Sequence, residues 1–246
     1  PPTALVLVAA LAAAAAPGAA ASTGPASTGL ASTDPYPVRS TQNPVLADGS
    51  YYSADPAPLV VPAGAPGADG GHDELYVYTG HDEAGPAQND FVMNEWGALR
   101  TSDPGSGEWT HHPSLMRPED VFDWASPGRA YAGEVERGPD GRYYWYVPVH
   151  EADSPAEDKF GIGVAVSDTP TGPWTDHAGG PIVSQRVPTP NTTHNIDPTV
   201  LVDGTGDDAR VLMYWGSFGQ LRRLELGTDM RTPAGAVHAV DAPRGF

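Results

Sequence analysis

Apolar and polar positions alternate in short runs from Tyr51 onward, and Gly, Pro and Asp break the runs. One run follows Asp55 and Pro56 as Ala57-Pro58-Leu59-Val60. A second, Asp73-Glu74-Leu75-Tyr76-Val77-Tyr78-Thr79-Gly80, comes after a polar turn. The same order recurs at Glu134-Val135-Glu136-Arg137, the turn Gly138-Pro139-Asp140-Gly141, and Arg142-Tyr143-Tyr144-Trp145-Tyr146-Val147. It recurs again at Ile196-Asp197-Pro198-Thr199-Val200-Leu201-Val202-Asp203, followed by Arg210-Val211-Leu212-Met213-Tyr214-Trp215-Gly216. Each copy reads as an acidic residue, a strand, a polar turn and an aromatic-rich strand. The copies return at about 70 residues, a spacing that marks a structural repeat.

Two further strands complete the unit. Phe91–Arg100 leads through Ser102-Asp103 and a Pro/Gly turn to Trp109; Gly161–Val166 leads through Ser167-Asp168 and a similar turn to Trp174. Alternation of period two dominates, and no convincing 3.6-residue period appears outside the apolar start of the chain. The class is therefore all-β. Four short antiparallel strands per repeat make the blade of a β-propeller, of which about three blades fall in this chain. A single β-sandwich leaves the recurring Trp and Ser-Asp positions unexplained. Propellers close with roughly four to eight blades, so a ring of three is expected to be incomplete.

Residues 1–21 read as a signal peptide with an incomplete start. Ala4-Leu5-Val6-Leu7-Val8-Ala9-Ala10-Leu11 is too short to span a bilayer and leads to Gly18-Ala19-Ala20-Ala21, a small-residue cleavage pattern. Residues 22–42, rich in Ser, Thr, Ala, Gly and Pro, read as a flexible linker. The partial propeller occupies 43–246. These readings make the protein secreted.

Composition narrows the chemistry. With 31 Asp and Glu against 13 Lys and Arg, the formal charge is −18, which disfavours nucleic acid and anionic membrane as partners. The absence of Cys excludes disulfides and thiolate metal sites. There is no G-x-S-x-G elbow, H-E-x-x-H pair or phosphate loop. Tyr and Trp number 10 and 6 against 5 Phe, and such amphipathic rings either line sugar sites or fill cores with one polar edge. A monomer acting on a neutral ligand is expected.

Asp55 and Asp197 open equivalent inner strands of two repeats, so a propeller would bring both to one mouth. Paired carboxylates in a cleft for a neutral ligand suit glycoside hydrolysis, in which one carboxyl is ionised and another protonated. An Asp-Pro pair also starts turns, but here both pairs run into strands.

The segments Tyr52-Ser53-Ala54-Asp55-Pro56-Ala57-Pro58-Leu59, Gly133-Glu134-Val135, Asp140–Pro148, Ile162–Asp168 with Gly172-Pro173-Trp174, and Ile196–Val200 with Tyr214-Trp215-Gly216 together resemble family 43 of the glycoside hydrolases. The resemblance runs from about residue 43 to the end. It implies a five-bladed propeller and an inverting mechanism, with xylosidase, arabinofuranosidase or arabinanase activity on arabinoxylan, arabinan or xylo-oligosaccharides. It makes Asp55 the general base and Asp197 the carboxylate that tunes and orients the acid. The family's acid, a Glu on the next inner strand, is expected beyond Phe246. Glu134 is the tempting substitute, although the family does not use that position; it could equally shape the cleft. No cofactor is required. Some members hold calcium in the channel, and no ligand set for it is assigned here. A carbohydrate-binding propeller without catalysis is one alternative. A retaining, fructan-cleaving propeller is another, although Ala54 stands where its Asn-Asp-Pro opening needs Asn.

Weaker candidates surround these. His81, at the end of Tyr78-Thr79-Gly80-His81-Asp82-Glu83, is placed to touch substrate or a carboxylate, or to sit in a surface turn. Trp96 is either a sugar platform or core. His194-Asn195, just before Asp197, is placed to reach the cleft. Asp203–Asp208 resembles a calcium loop but lacks its spacing and closing Glu, so a hairpin turn is simpler. Asn191-Thr192-Thr193 is a glycosylation sequon.

Overall fold

The computed structural model describes residues 33–85, 87–188 and 194–241. The signal segment, most of the linker and the Asn191 sequon lie outside the described residues. The described chain forms three antiparallel sheets. The first holds β1 (Tyr36–Arg39), β2 (Ser53–Val61), β3 (Glu74–Asp82), β4 (Met93–Thr101) and β5 (Glu108–Met116), in the order β1-β5-β4-β3-β2. The second runs β6 (Glu134–Arg137), β7 (Tyr143–His150), β8 (Phe160–Ser167), β9 (Thr175–Asp176). The third runs β10 (Thr199–Asp203), β11 (Arg210–Trp215), β12 (Arg222–Leu226), β13 (His238–Ala239). The first strands of the sheets are neighbours in space, with β6 touching both β2 and β10.

The second sheet is covered on both faces, and β7 shows how. Tyr143, Trp145, Val147 and Val149 belong to a core shared with Leu59, Val61, Tyr76, Tyr78 and Trp96 of the first sheet. Tyr144 and Tyr146 belong to a second core with Val200, Val211, Met213, Trp215 and Leu224 of the third. Successive side chains of a strand point to opposite faces, so a strand buried twice must be apolar throughout. That accounts for the unbroken run from Tyr143 to Val149.

Tyr outnumbers Phe for a related reason. The Tyr78 hydroxyl donates to Pro170 O (2.7 Å) and Tyr143 to Pro66 O (3.0 Å), tying the first two sheets together from both sides. Tyr146 donates to Met230 O (2.6 Å) in the third. A buried hydroxyl needs such a partner, and a backbone carbonyl in the adjacent sheet's loops provides one while fixing the packing.

Two elements depart from the sequence reading. Tyr36–Arg39, placed in the linker by composition, is a fifth strand on the outer edge of the first sheet, antiparallel to β5. The Tyr36 hydroxyl meets His111 Nδ1 at 2.7 Å, and an edge strand tolerates Pro37. A one-turn helix, Pro118–Val121, carries Pro at its start and Glu119 and Asp120 in its first turn. It is too short to leave a 3.6-residue period, so the sequence showed only strands. The Asp203–Asp208 stretch is the β10–β11 hairpin, with a 3-10 turn at Gly206–Asp208.

Candidate active site

Asp55 lies within β2 where the pairing with β3 shifts register between Ala54 and Ala57. Asp197 stands two residues before β10. Both adopt left-handed backbone, with φ of 51° and 54°. That region is sparsely used by residues other than Gly, and a following Pro restricts the backbone further. The same unusual conformation at the same point of two repeats turns both carboxylates out of the strand direction and toward a common opening. Strained backbone of this kind persists where surrounding packing over-determines it, and it clusters at functional sites.

The opening is a pocket of about 230 Å³ lined by Asp55, Pro56, Ala57, Ala132, Gly133, Glu134, Asp197 and Pro198. Three successive inner strands thus each supply a carboxyl. Burial raises the pKa of Asp55, and the Asp197 charge raises it further, so the two groups sense one another. Ser217, just after β11, donates its hydroxyl to Asp197 Oδ2. Burial also raises Glu134, against which hydrogen bonds from Thr199 and the Val200 backbone act. Glu136, two residues deeper on β6 and so on the same face, is pushed up to about 7 by burial and then by the Glu134 charge. A larger hollow of about 550 Å³ along Tyr36–Ser50 lies at the outer edge of the first sheet and holds only one acidic residue, Asp48.

Asn195 anchors the Asp197 segment. It is wholly buried; its Nδ2 donates to Phe160 O (3.1 Å) and its Oδ1 accepts from Trp215 Nε1 (3.2 Å). The Ile196 carbonyl accepts from Gly216 N at 2.9 Å. The lead-in to β10 is therefore pinned to both β8 and the end of β11.

The weaker candidates separate. His81 is half-buried beside β2. Its Nδ1 meets Glu95 Oε1 at 3.0 Å, and its ring stacks on Tyr51 at 3.8 Å between centroids. Arg117 pairs with the other Glu95 oxygen at 2.8 Å. Burial works against the Glu95 carboxylate, but hydrogen bonds from His81, Ser114 and Arg117 overcome it and hold its pKa to about 2. His81 thus takes the carboxylate-partner alternative. His81, Glu83 and Glu95 place ligand atoms within 4.8 Å of one another. The set fits calcium poorly, because calcium takes six to eight oxygens and Arg117 already neutralises Glu95. Trp96 takes the core alternative: it is 1% exposed, packs on Trp145 at 6.0 Å and donates Nε1 to Tyr131 O. With both ring faces enclosed it offers no platform to a sugar. His194 is not in the Asp55 pocket. It lines an adjacent hollow with Phe218, its backbone held by Asp158 Oδ2 at 2.8 Å.

Sequence reasoning missed Ser217 and Glu136, and it placed Asn195 with His194 as reaching the cleft, whereas Asn195 is buried behind it. Glu136 was within reach, since it lies two residues from Glu134 and strand alternation puts both on the channel side. Ser217 carries no such signal, because it acts through a single contact made by the fold.

Comparison with known proteins gives the family and the fold. A xylosidase/arabinosidase of Bacteroides ovatus is 35% identical over 190 residues, which cover 74% of this chain and 49% of that protein. Xylosidase/arabinosidase 43A of Humicola insolens is 32% identical over 195 residues, with the same coverage. The chain spans about half the length of these curated relatives. Among solved structures, an α-L-arabinofuranosidase of Clostridium thermocellum superposes with a TM-score of 0.59 at 32% identity, covering 81% of this chain and 59% of that one. A xylose complex of a Xanthomonas citri enzyme gives 0.57 at 26% identity, covering 78% and 56%. Residues 71–240 match the profile of Glycosyl hydrolases family 43, and the chain belongs to that family.

Proposed function

We propose that the protein is a secreted, inverting glycoside hydrolase acting on arabinose- or xylose-containing plant cell-wall polysaccharides, built on a five-bladed propeller of which the described sheets are three blades. The observation that carries this reading is the single pocket shared by Asp55 and Asp197, with the Asp55 carboxyl raised by its neighbour's charge. Relatives named for xylosidase, arabinosidase and arabinoxylan arabinofuranohydrolase activity support the substrate class.

Asp55 acts as general base. Its carboxylate takes a proton from a water that attacks the anomeric carbon from the face opposite the leaving oxygen. The left-handed backbone and the register shift hold its side chain at the pocket mouth, where a water and a sugar ring meet. An inverting enzyme keeps base and acid roughly 6.5–9.5 Å apart so that the water fits between base and sugar. Inner strands facing one another across a channel mouth provide such a gap. Asp197 is oriented by Ser217, and its charge raises the pKa of a neighbouring carboxyl by like-charge repulsion, as it does that of Asp55. In this role it keeps the acid protonated near neutral pH. None of the described carboxyls is assigned as the acid. Glu134, engaged with Thr199 and the Val200 backbone, shapes the pocket floor.

The test is ¹H NMR of the first sugar released by the full-length protein from an aryl arabinofuranoside or aryl xyloside. Inverted anomer is expected. A retained anomer would replace Asp55's role with that of a nucleophile, and binding without turnover would leave a sugar-binding propeller.

A further inference from the structure

We infer that the hollow lined by Phe160, His194, Ile196 and Phe218 binds the neutral sugar chain leading away from the catalytic pocket, with Phe218 as its outer stacking platform. The inference rests on the glycosidase reading and extends it from a single bound sugar to a polymer.

The hollow measures about 630 Å³ and is lined by Glu157, Asp158, Phe160 and Gln185 together with His194, Ile196 and Phe218. It adjoins the catalytic pocket along two seams. Ile196 lines the hollow and the next residue, Asp197, lines the pocket. On the other side, Phe160 lines the hollow and lies 5.3 Å from the Tyr131 ring, and the residue after Tyr131, Ala132, lines the pocket. A chain leaving the pocket over the Asp197 wall therefore enters this hollow directly. The sizes suit the division. The pocket of about 230 Å³ takes one ring, whereas the hollow falls within the roughly 300–1,000 Å³ of ordinary small-molecule sites.

The lining suits a neutral sugar. Phe218 is 74% exposed and inclined against His194 at 5.2 Å, an aromatic face left in water beside an acidic floor. Phe160 is flanked by His150 at 4.3 Å. Sugar rings present C–H faces to aromatic rings and hydroxyls to carboxylates. The described lining residues include Glu157 and Asp158 and no Lys or Arg, so a uronate-bearing chain is repelled. The wall is also built rigidly. Asp158 accepts from Phe160 N at 3.0 Å and from His194 N at 2.8 Å, joining the two sides of the hollow. His194 and Phe218 have φ of 58° and 54°, so with Asp197 three left-handed residues other than Gly fall within one continuous wall. Such strain accumulates where a ligand is clamped.

The experiment is a calorimetric titration of the full-length protein and its Phe218→Ala and Phe218→Trp variants. The probes are xylohexaose, α-1,5-arabinohexaose, the two monosaccharides and a glucuronate-substituted xylo-oligosaccharide, with aryl-glycoside turnover run alongside. Phe218 is exposed, so neither variant threatens folding. The expected result is that at least one neutral hexasaccharide binds more tightly than its monosaccharide. Phe218→Ala weakens that binding about tenfold, as loss of one stacking contact does, and Phe218→Trp restores it. Monosaccharide affinity stays unchanged, and the glucuronate-bearing chain binds more weakly. Hexasaccharide binding that ignores Phe218→Ala overturns the inference, as does equal affinity for monosaccharide and hexasaccharide. If aryl glycosides are not turned over while hexasaccharide binding still depends on Phe218, the hydrolase reading falls and the chain-binding site stands.

Discussion

Replacing Asn195 by Ala tests how the fold holds Asp197. Asn195 is fully buried and satisfies two groups at once, the Phe160 carbonyl and the Trp215 indole N–H. Truncation leaves both without a partner, in a place where Trp215 is itself 0% exposed. Each unmatched buried polar group costs about 1–2 kcal/mol, so the variant is expected to lose about 2–4 kcal/mol. For a domain of this size that lowers the melting temperature by about 5–15 °C. Urea denaturation followed by tryptophan fluorescence gives the free energy directly, with the midpoint lowered and the slope unchanged. Asn195→Asp provides a second arm. A carboxylate there would face the Phe160 carbonyl oxygen in a buried site, so burial raises its pKa. A group raised in the folded state stabilises below its unfolded pKa and loses that stabilisation as pH rises through the folded value. The Asp variant is therefore expected to be less stable than the Ala variant at pH 8 and to gain on it toward pH 4, where a protonated carboxyl can donate to Phe160 O. A loss below about 0.5 kcal/mol in Asn195→Ala, the level of an ordinary surface change, would refute the claim that this amide pins the Asp197 segment.

Further outcomes follow from the other contacts. Asp197→Asn removes the charge that raises Asp55, so the acidic limb of the kcat/KM profile is expected to move to lower pH while the overall rate falls; a fixed limb would uncouple the two groups. Glu136 is raised from 4.5 to about 7, so the wild type loses stability as pH climbs through that window. Glu136→Gln is expected to flatten thermal stability between pH 4.5 and 8, and an unchanged pH dependence would contradict it. Glu95 is held to about 2, so its contribution is present above its ordinary value of 4.5 and fades as pH falls toward 2. Arg117→Ala raises that pKa, and acid unfolding followed by circular dichroism is expected to begin at higher pH.

Much of this architecture was legible because propeller strands obey simple periodicity. The run Tyr143–Val149 announces a strand covered on both faces, and Asp55, Glu134 and Asp197 mark the three inner strands because each precedes a short apolar run. Their convergence on one pocket follows from the repeat alone. What the sequence hid was set by single contacts and by backbone sign. Nothing in Asp55-Pro56 or Asp197-Pro198 declares a left-handed φ, since an Asp before Pro reads equally well as a turn. His194 lies three residues from Asp197, yet it faces the neighbouring hollow because Asp158 holds its backbone and its own φ is positive. Trp96 carried two readings until Trp145 and the Tyr131 carbonyl enclosed it. Tyr36–Arg39 looked like linker because an edge strand needs only one partner, β5, and tolerates a proline.

The measurement that bears most directly on the catalytic assignment is kcat/KM of Asp55→Asn in the full-length protein, on an aryl arabinofuranoside and an aryl xyloside, with the melting temperature recorded beside it. Loss of a general base costs about 10²–10⁴-fold, and a drop of at least that size with an unchanged melting temperature is expected. Turnover within a few-fold of wild type would remove Asp55 from the chemistry.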